Sequence, residues 1–253
     1  MYDDLARPPL RAASLRRALA PDGWRVEVVE QAGSTNAVVA ERARGGEPAG
    51  LVVVAEHQTA GRGRLDRTWL SPARAGLTFS VLLQPQLAAA DRAWLPLLAG
   101  VAVVRAVRDQ AMVDAVLKWP NDVLVEGRKL GGLLAETVSP GGVVVGIGLN
   151  VTTTRAELPD DRSTSLRLEG AVTNDRDILL RAVLRELSAV LADVAGSRRE
   201  YAELCSSLGQ LVRVELPHTS IEGTAERVDD VGWLVVDGTA YGAGDVVHLR
   251  SVR

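Results

Sequence analysis

The sequence contains one cysteine and no long uninterrupted apolar segment. Cys205 cannot form an internal disulfide bond, and the first 11 residues carry charges and prolines where a secretory signal would be apolar. The longest apolar candidate, Ala93 to Val107, is interrupted by Pro96, Gly100 and Arg105, so it does not provide the roughly 18 residues of a membrane helix. These absences exclude a disulfide-rich secreted protein and predict a cytoplasmic protein with no membrane partner.

Lysine is almost absent. Of the 29 basic residues only Lys118 and Lys129 are lysine, and 32 acidic residues bring the net charge to -3. With 47% hydrophobic and 24% charged residues, the composition excludes a disordered chain and a strongly cationic nucleic-acid binder. Where arginine supplies nearly every other cation, the two lysines indicate positions that need a compact ammonium, although chance placement on the surface is the alternative.

Several catalytic signatures are also missing. The chain has no Walker-type phosphate loop, no dinucleotide-binding glycine motif, no zinc-protease motif and no nucleophile elbow. Its three histidines, His57, His218 and His248, lack metal-ligand spacing, and Cys205 falls in a predicted helix. We therefore predict a site that binds anions and orients reactants, with no metal ligands and no covalent nucleophile of its own.

The order of helical and strand patterns predicts an α+β fold. Helices are expected at 10–20, 34–43, 91–110, 175–194 and 198–206, and strands at 24–30, 51–58, 78–83, 115–119, 123–125, 129–138 and 142–150. Short turns between strands favour a mixed, largely antiparallel central sheet backed by helices. After Gly209, short strands with glycine-containing turns predict a small β-barrel. We place residues 1–205 in a catalytic domain and residues 206–253 in a C-terminal β domain.

The segment from Thr59 to Arg64 has no apolar periodicity and predicts a cationic loop. Gly61 and Gly63 let the backbone approach a ligand closely, and the arginines of this segment with Arg67 bring three charges within six residues. A multiply charged anion is the natural partner. A solvated turn and a single-stranded RNA site are the alternatives, although Trp69 is the only aromatic residue nearby to stack on bases.

Two further motifs combine polar residues with glycine. Lys118-Trp119-Pro120-Asn121-Asp122 places polar groups around a proline break, and each must find a partner. In the strand that follows, alternation predicts Lys129, Gly131 and Leu133 on one face, with an ammonium beside a glycine floor for a flat ligand. A plain hairpin is the alternative for this segment.

The third motif is Gly146-Ile147-Gly148-Leu149-Asn150, where alternating glycines clear one face of a strand. Asn150 offers an amide donor and acceptor at the end of that strand. Three of the four asparagines, Asn36, Asn121 and Asn150, fall in the motifs described, which favours one shared polar site.

In order and spacing, these motifs resemble biotin protein ligases of the BirA type. The resemblance is carried by Ser34-Thr35-Asn36, Gln58, Gly61-Arg62-Gly63-Arg64 with Trp69, Lys118 to Asp122, Gly127 to Gly132 and Gly146 to Asn150. It implies a class II synthetase-like fold of the biotin/lipoyl ligase kind with an SH3-like C-terminal barrel. The implied substrates are biotin and ATP with Mg²⁺. The implied product of the first step is biotinyl-5'-AMP, and the implied acceptor is a lysine of a biotin carboxyl carrier domain.

The resemblance also implies roles for individual residues. Biotin would contact Ser34, Thr35, Asn36, Gln58, Gly61, Arg62, Gly63, Lys129, Gly131, Gly132 and Leu133. ATP and its phosphates would contact Arg62, Arg64, Arg67, Trp69, Lys118, Asn121, Lys129 and Asn150. No protein metal site is expected, because ATP would carry the magnesium ion, near Asn150.

The implied catalytic residues are Lys129, Arg64 and Asp122. Lys129 would contact the biotinyl carbonyl and the α-phosphate, where a point charge suits the developing negative charge. Asp122 would either orient the incoming lysine or accept its proton, and Trp69 would lie near the adenine or support the loop.

The sequence departs from the family pattern at Leu65-Asp66-Arg67, where some relatives carry more basic and glycine residues. About 30 residues precede the Ser34 motif, too few for a winged helix-turn-helix, so we expect no DNA binding. Relatives dimerise through the central sheet to different extents, and the resemblance implies a monomer or weak homodimer. The competing interpretations are a lipoate-type acyl ligase and an RNA-binding module.

Overall fold

The computed structural model describes residues 7–65, 67–84, 89–138, 141–216, 218–242 and 244–249. The helices are α1 Ala12–Leu19, α2 Thr35–Arg44, α3 Leu95–Ala106, α4 Arg176–Ala192 and α5 Val194–Leu204. In the part of the chain described, none of them combines the length and hydropathy needed to cross a bilayer. The strands are β1 Arg25–Ala32, β2 Leu51–Arg62, β3 Thr68–Ser71, β4 Gly76–Leu83, β5 Val116–Lys118, β6 Asp122–Val125, β7 Arg128–Val138, β8 Gly142–Asn150, β9 Leu211–Glu215, β10 Ser220–Val228, β11 Leu234–Val236, β12 Thr239–Tyr241 and β13 Asp245–His248.

Across these ranges the strands form two sheets. An eight-stranded sheet has the order β1-β2-β4-β8-β7-β6-β5 with β3 paired to β2, and a five-stranded sheet has the order β12-β11-β10-β9-β13. β1 and β2 are parallel, whereas β2-β4, β4-β8 and β7-β8 are antiparallel. The predicted α+β fold with a largely antiparallel sheet is confirmed. The smaller sheet lies wholly after residue 206, and the domain boundary itself stays a prediction.

The central sheet has one apolar face and one divided face. On β4, Leu77, Phe79 and Val81 point into the main core, which α1, α3 and α4 complete. The opposite face packs a smaller core under α2, which includes Leu82 and Val144. Towards the other end of the same face, the apolar residues give way to hydroxyl, amide and glycine positions, so the sheet is left open there.

Two predicted elements differ from those observed. β2 continues to Arg62 and pairs with the unpredicted β3, Arg62 opposite Thr68, so the predicted loop at 59–64 is largely a β-ribbon. Backbone hydrogen bonds form this ribbon. Its arginine side chains remain exposed, so its sequence needs no alternation of apolar residues. The helix predicted at 91–110 is a 3-10 segment, Ala89–Trp94, followed by α3 and a π-helical turn at Val107–Ala111. Pro96 lies in the first turn of α3, where its missing N–H costs no helical hydrogen bond.

A buried ion pair ties α4 to β2 and to the N-terminal segment. Arg176 Nη1 lies 2.7 Å from Glu56 Oε2, and both side chains are 4% exposed. Arg176 Nη2 also donates to Pro8 O at 2.7 Å, while Glu56 Oε1 accepts from Leu10 N at 2.6 Å. Each charge therefore has its partners inside the protein, which is the condition for burying it.

Replacing Arg176 with Met should lower the free energy of unfolding by about 3–5 kcal/mol, because the Glu56 carboxylate would stay buried without its cation. Denaturant unfolding measures this loss. The control is Arg213→Met, which breaks an exposed pair with Glu222 and should cost less than about 1 kcal/mol. Equal effects of the two substitutions would contradict the assignment.

Candidate functional site

A cavity of about 380 Å³ lies on the open part of the central sheet. The tip of the β2-β3 ribbon, the start of α2 and the β7-β8 hairpin surround it. Most of the predicted site residues line it, namely Ser34, Thr35, Asn36, Gln58, Arg62, Gly63, Arg64, Arg67, Trp69, Asn121, Asp122, Lys129, Gly132, Leu133 and Asn150. Residues from distant parts of the sequence therefore share one cavity.

Glycines form the floor of this cavity. Gly132 on β7 lies directly opposite Gly148 on β8, and the Trp69 indole rests on both. A Cβ atom at Gly148 would lie 2.4 Å from Trp69 Cε2, and one at Gly146 would lie 2.1 Å from Asn36 Oδ1. A glycine floor is present, but it is formed by Gly132, Gly146 and Gly148 and not by the predicted Gly131. In this structure the Trp69 indole lies against Gly132 and Gly148, and the binding of a flat ligand there stays a prediction.

A chain of neutral hydrogen bonds lines the α2 side of the cavity. Gln58 Oε1 accepts from Thr35 N at 2.9 Å and from Thr35 Oγ1 at 3.2 Å. Ser80 Oγ lies 2.7 Å from Thr35 Oγ1 and donates to Asn36 Oδ1 at 2.6 Å. Asn36 Nδ2 donates in turn to Glu136 Oε2 at 2.7 Å. Because its oxygen is occupied, Gln58 retains its amide nitrogen as a donor for a ligand.

A bulge in β7 determines which residues lie on the same strand face as Lys129. Val123 pairs with Gly131 but Leu124 pairs with Lys129, so one extra residue, Leu130, interrupts the alternation. A Cβ atom at Gly132 would lie 3.4 Å from Lys129 Nζ, whereas one at Gly131 would meet Gly148 O. Lys129 thus shares the cavity face with Gly132. The expectation that it shares a face with Gly131 and Leu133 is wrong.

Lys129 is held between a carboxylate and the indole. Its Nζ lies 2.5 Å from Asp122 Oδ1 and 6.0 Å from the centroid of the Trp69 ring. Its backbone is fixed as well, because Lys129 N donates to Arg162 O and Lys129 O accepts from Thr164 N. Thr164 O also accepts from Asn150 Nδ2 at 2.9 Å. The 160–164 segment therefore positions both the ammonium and the amide.

The arginines of the β2-β3 ribbon are not equivalent. Arg62 Nη2 lies 3.1 Å from Glu136 Oε2, and Arg67 forms an ion pair with Asp245 of the smaller sheet. Arg64, in contrast, has no ion pair with any residue in the described ranges. Burial lowers the pKa of the Arg64 guanidinium, while the nearby Asp245 carboxylate opposes that shift. Arg64 stays charged at neutral pH, so it gives the cavity a cation that forms no ion pair within the described ranges.

Three predicted site residues lie outside this cavity. Gly61 is not among the residues that line it, although a Cβ atom there would meet Gln58 Nε2 and Trp69 O at 2.4 Å. Gly131 faces the opposite side because of the bulge. Lys118 lies on β5 near His248. Burial lowers the pKa of the His248 imidazole, and the nearby Lys118 charge lowers it further. The prediction that Lys118 contacts phosphates is therefore not supported by its position.

Several residues of the site were missed in the sequence. They are Thr78, Ser80, Glu136, Asp160, Ser163, Gly244 and Asp245. Thr78 and Ser80 could have been found in the sequence, because they alternate with apolar residues on β4. That alternation indicates that one face of the strand is polar at this point. Asp245 had no local signal, since its partner Arg67 is 178 residues away.

Comparisons with known proteins identify the family of this chain. Residues 28–152 match the model of the Biotin/lipoate A/B protein ligase family. The chain is 42% identical, over 98% of both proteins, to the biotin--[acetyl-CoA-carboxylase] ligase of Mycobacterium tuberculosis. The chain belongs to the biotin/lipoate A/B protein ligase family.

Solved structures of biotin protein ligases share the fold. That from Aquifex aeolicus in complex with biotin and ATP superposes with a TM-score of 0.77, at 30% identity, covering 90% of this chain and 99% of the other. That from Leishmania major in complex with biotinyl-5-AMP gives a TM-score of 0.65 at 27% identity, covering 90% of this chain and 99% of the other. Among the described residues of this ligase-family chain, no three His, Cys, Asp or Glu side chains cluster as metal ligands.

Replacing Gly146 with Ala should lower the free energy of unfolding of this ligase by about 1–3 kcal/mol, because the new methyl group would displace Asn36 from its hydrogen bonds. Chemical denaturation measures the effect. Gly33→Ala is the matched control, since a Cβ atom at Gly33 meets nothing within 4 Å. A Gly146→Ala protein as stable as the control would show that this contact is not tight.

Proposed function

We propose that this chain is a biotin protein ligase that uses MgATP to activate biotin and then transfers it to a lysine of a biotin carboxyl carrier domain. In the first step the biotin carboxylate attacks the α-phosphorus of ATP. A P–O bond forms, the bond to the β-phosphate breaks, and pyrophosphate leaves. In the second step the lysine amine attacks the acyl carbonyl of biotinyl-5'-AMP, so that an amide forms and AMP leaves.

The observation that carries the proposal is that one cavity combines a neutral hydrogen-bonding chain with a group of cations. Gln58 and Thr35 belong to the first, and Lys129, Arg64 and Arg67 to the second. Biotin needs both, because its fused rings are neutral and polar while its carboxylate must meet a triphosphate. The free Gln58 amide donor suits the carbonyl of the ring system.

In the adenylation step, Arg64 and Lys129 neutralise two groups that otherwise repel each other. A carboxylate and a triphosphate approach only when fixed cations offset their charges, and cations placed beforehand stabilise the charge that develops at phosphorus. Among the described residues, Arg64 has no ion pair to break before it binds an anion. Lys129 sits beside Asp122, from which its ammonium can turn towards the acyl phosphate.

In the transfer step, Asp122 is the group placed to act on the incoming amine. An attacking lysine must lose a proton, and the Asp122 carboxylate lies 2.5 Å from Lys129 Nζ at the cavity wall. In the proposal Asp122 orients that amine or accepts its proton. The nucleophile belongs to the carrier domain, which agrees with the absence of a catalytic nucleophile motif in this chain.

Asn150 offers a fitting ligand for a magnesium ion carried by ATP. Its amide nitrogen donates to Thr164 O, so the amide oxygen is the atom left for a further partner. Oxygen is the ligand type that Mg²⁺ prefers. When bound, the ion would neutralise phosphate charge beside that oxygen.

We also propose the cytoplasm as the location and a monomer or weak homodimer as the working form.

The deciding experiment is the intact mass of a purified biotin carboxyl carrier domain after incubation with this protein and MgATP, with biotin or lipoate in parallel tubes. We expect a gain of one biotinyl group, lost when the acceptor lysine is replaced. A gain with lipoate alone would move the substrate to the lipoate class. No gain with either acid, using a competent acceptor, would refute the proposal.

Lys129→Arg should fold but lose pyrophosphate exchange by roughly 100-fold, the scale seen when a transition-state donor is removed. Lys129 Nζ is fixed 2.5 Å from Asp122 Oδ1, and a wider planar head cannot place its charge at the same point. Arg128→Lys is the control on the same strand, because Arg128 pairs with Glu126 and Glu169 outside the cavity. Pyrophosphate exchange by Lys129→Arg at the rate of the control would refute the role of Lys129.

A further inference from the structure

The smaller C-terminal sheet contributes residues to the cavity. Gly244 and Asp245 line it beside Arg64 and Arg67 of the β2-β3 ribbon. Asp245 begins β13, and the next residue, Val246, is fully buried in the core of the smaller sheet opposite Val214. Alternation along the strand therefore directs the Asp245 side chain away from that core, towards the ribbon.

The smaller sheet is fastened at defined points, so Asp245 is not carried on a loose domain. Trp119 Nε1 donates to Gly232 O at 3.1 Å, and Trp94 Nε1 donates to Asp230 O at 2.8 Å. Both indoles belong to the larger part of the chain and both are buried. Trp119 lies in the Lys118 to Asp122 motif, and its side chain thus holds the turn before β11 in place.

The ribbon end that faces Asp245 is compact. Gly63 N donates to Arg67 O at 2.6 Å, and Arg67 N donates to Arg64 O at 3.2 Å. A carboxylate that fixes Arg67 therefore fixes the backbone beside Arg64 as well. The Asp245 side chain is 25% exposed and that of Arg67 is 62% exposed, so the ion pair lies at the mouth of the cavity.

We propose that Asp245 is a positioning residue which, through its ion pair with Arg67, holds the ribbon over the phosphate side of the cavity. The inference rests on the proposed ligase function. It gives the smaller sheet an indirect part in binding the triphosphate, because Asp245 sets where Arg67 and Arg64 stand before ATP arrives. Asp245 itself is an anion and does not contact the phosphates.

The kinetic test compares Asp245→Asn with wild type by pyrophosphate exchange. We expect the KM for MgATP to rise about threefold to fivefold, the scale of a partly exposed ion pair, with kcat nearly unchanged. In an Arg67→Gln background the same substitution should have no further effect, since it acts through Arg67. An unchanged KM, or the same factor in both backgrounds, would overturn the proposal.

The structural test needs no activity. Trypsin cleavage within residues 62–67 of the ligand-free protein should be faster in Asp245→Asn than in wild type, because the ribbon end loses its anchor. Glu222→Gln, which breaks an exposed pair in the same small sheet, is the control and should match wild type. Thermal melting checks that each variant is folded. Equal cleavage of all three proteins would overturn the proposal, whereas a wild-type protein that fails to adenylate biotin would refute only the ligase function.

Discussion

The cavity exists because three positions on one face of β7 and β8 carry no side chain. Gly132, Gly146 and Gly148 leave a depth that the Trp69 indole and the Asn36 amide partly fill. Strand pairing brings these positions together, with Gly148 between Thr78 on β4 and Gly132 on β7. A side chain at any of them would push these groups outwards, so the hydrogen-bond chain and the place of Lys129 both depend on this bare strip.

Charge in the cavity is balanced before any ligand arrives. Lys129 stands against Asp122, Arg62 against Glu136 and Arg67 against Asp245, so the folded chain does not bear a cluster of unopposed cations. An anionic substrate then exchanges partners with these side chains at little electrostatic cost. Arg64 is the exception, because it forms no ion pair within the described ranges, so binding an anion there breaks no ion pair among those residues.

The elements and most site residues could be predicted because their signals are local. The five residues from Gly146 to Asn150 predict a strand face without side chains, because glycine alternates with apolar residues. That alternation places the glycines on one face of the pleated strand. The bulge at Leu130 broke that alternation, and its cause lies in the pairing of β7 with β6, which no single strand encodes. Gly132 rather than Gly131 faces the cavity for this reason. Lys118 is near Asn121 in the chain but does not line the cavity, so nearness in sequence does not fix its place.

The contact between the two sheets lies beyond any local pattern, yet it explains why one motif contains a large apolar residue. Trp119 interrupts a run of polar side chains, and its indole reaches the turn at Gly232 instead of the cavity. Anchoring and substrate binding are thus encoded in adjacent residues of a single segment. The smaller sheet also supplies Asp245, which pairs with Arg67 of the ribbon. The position of the β2-β3 ribbon therefore depends on both sheets, and the smaller sheet is part of the site.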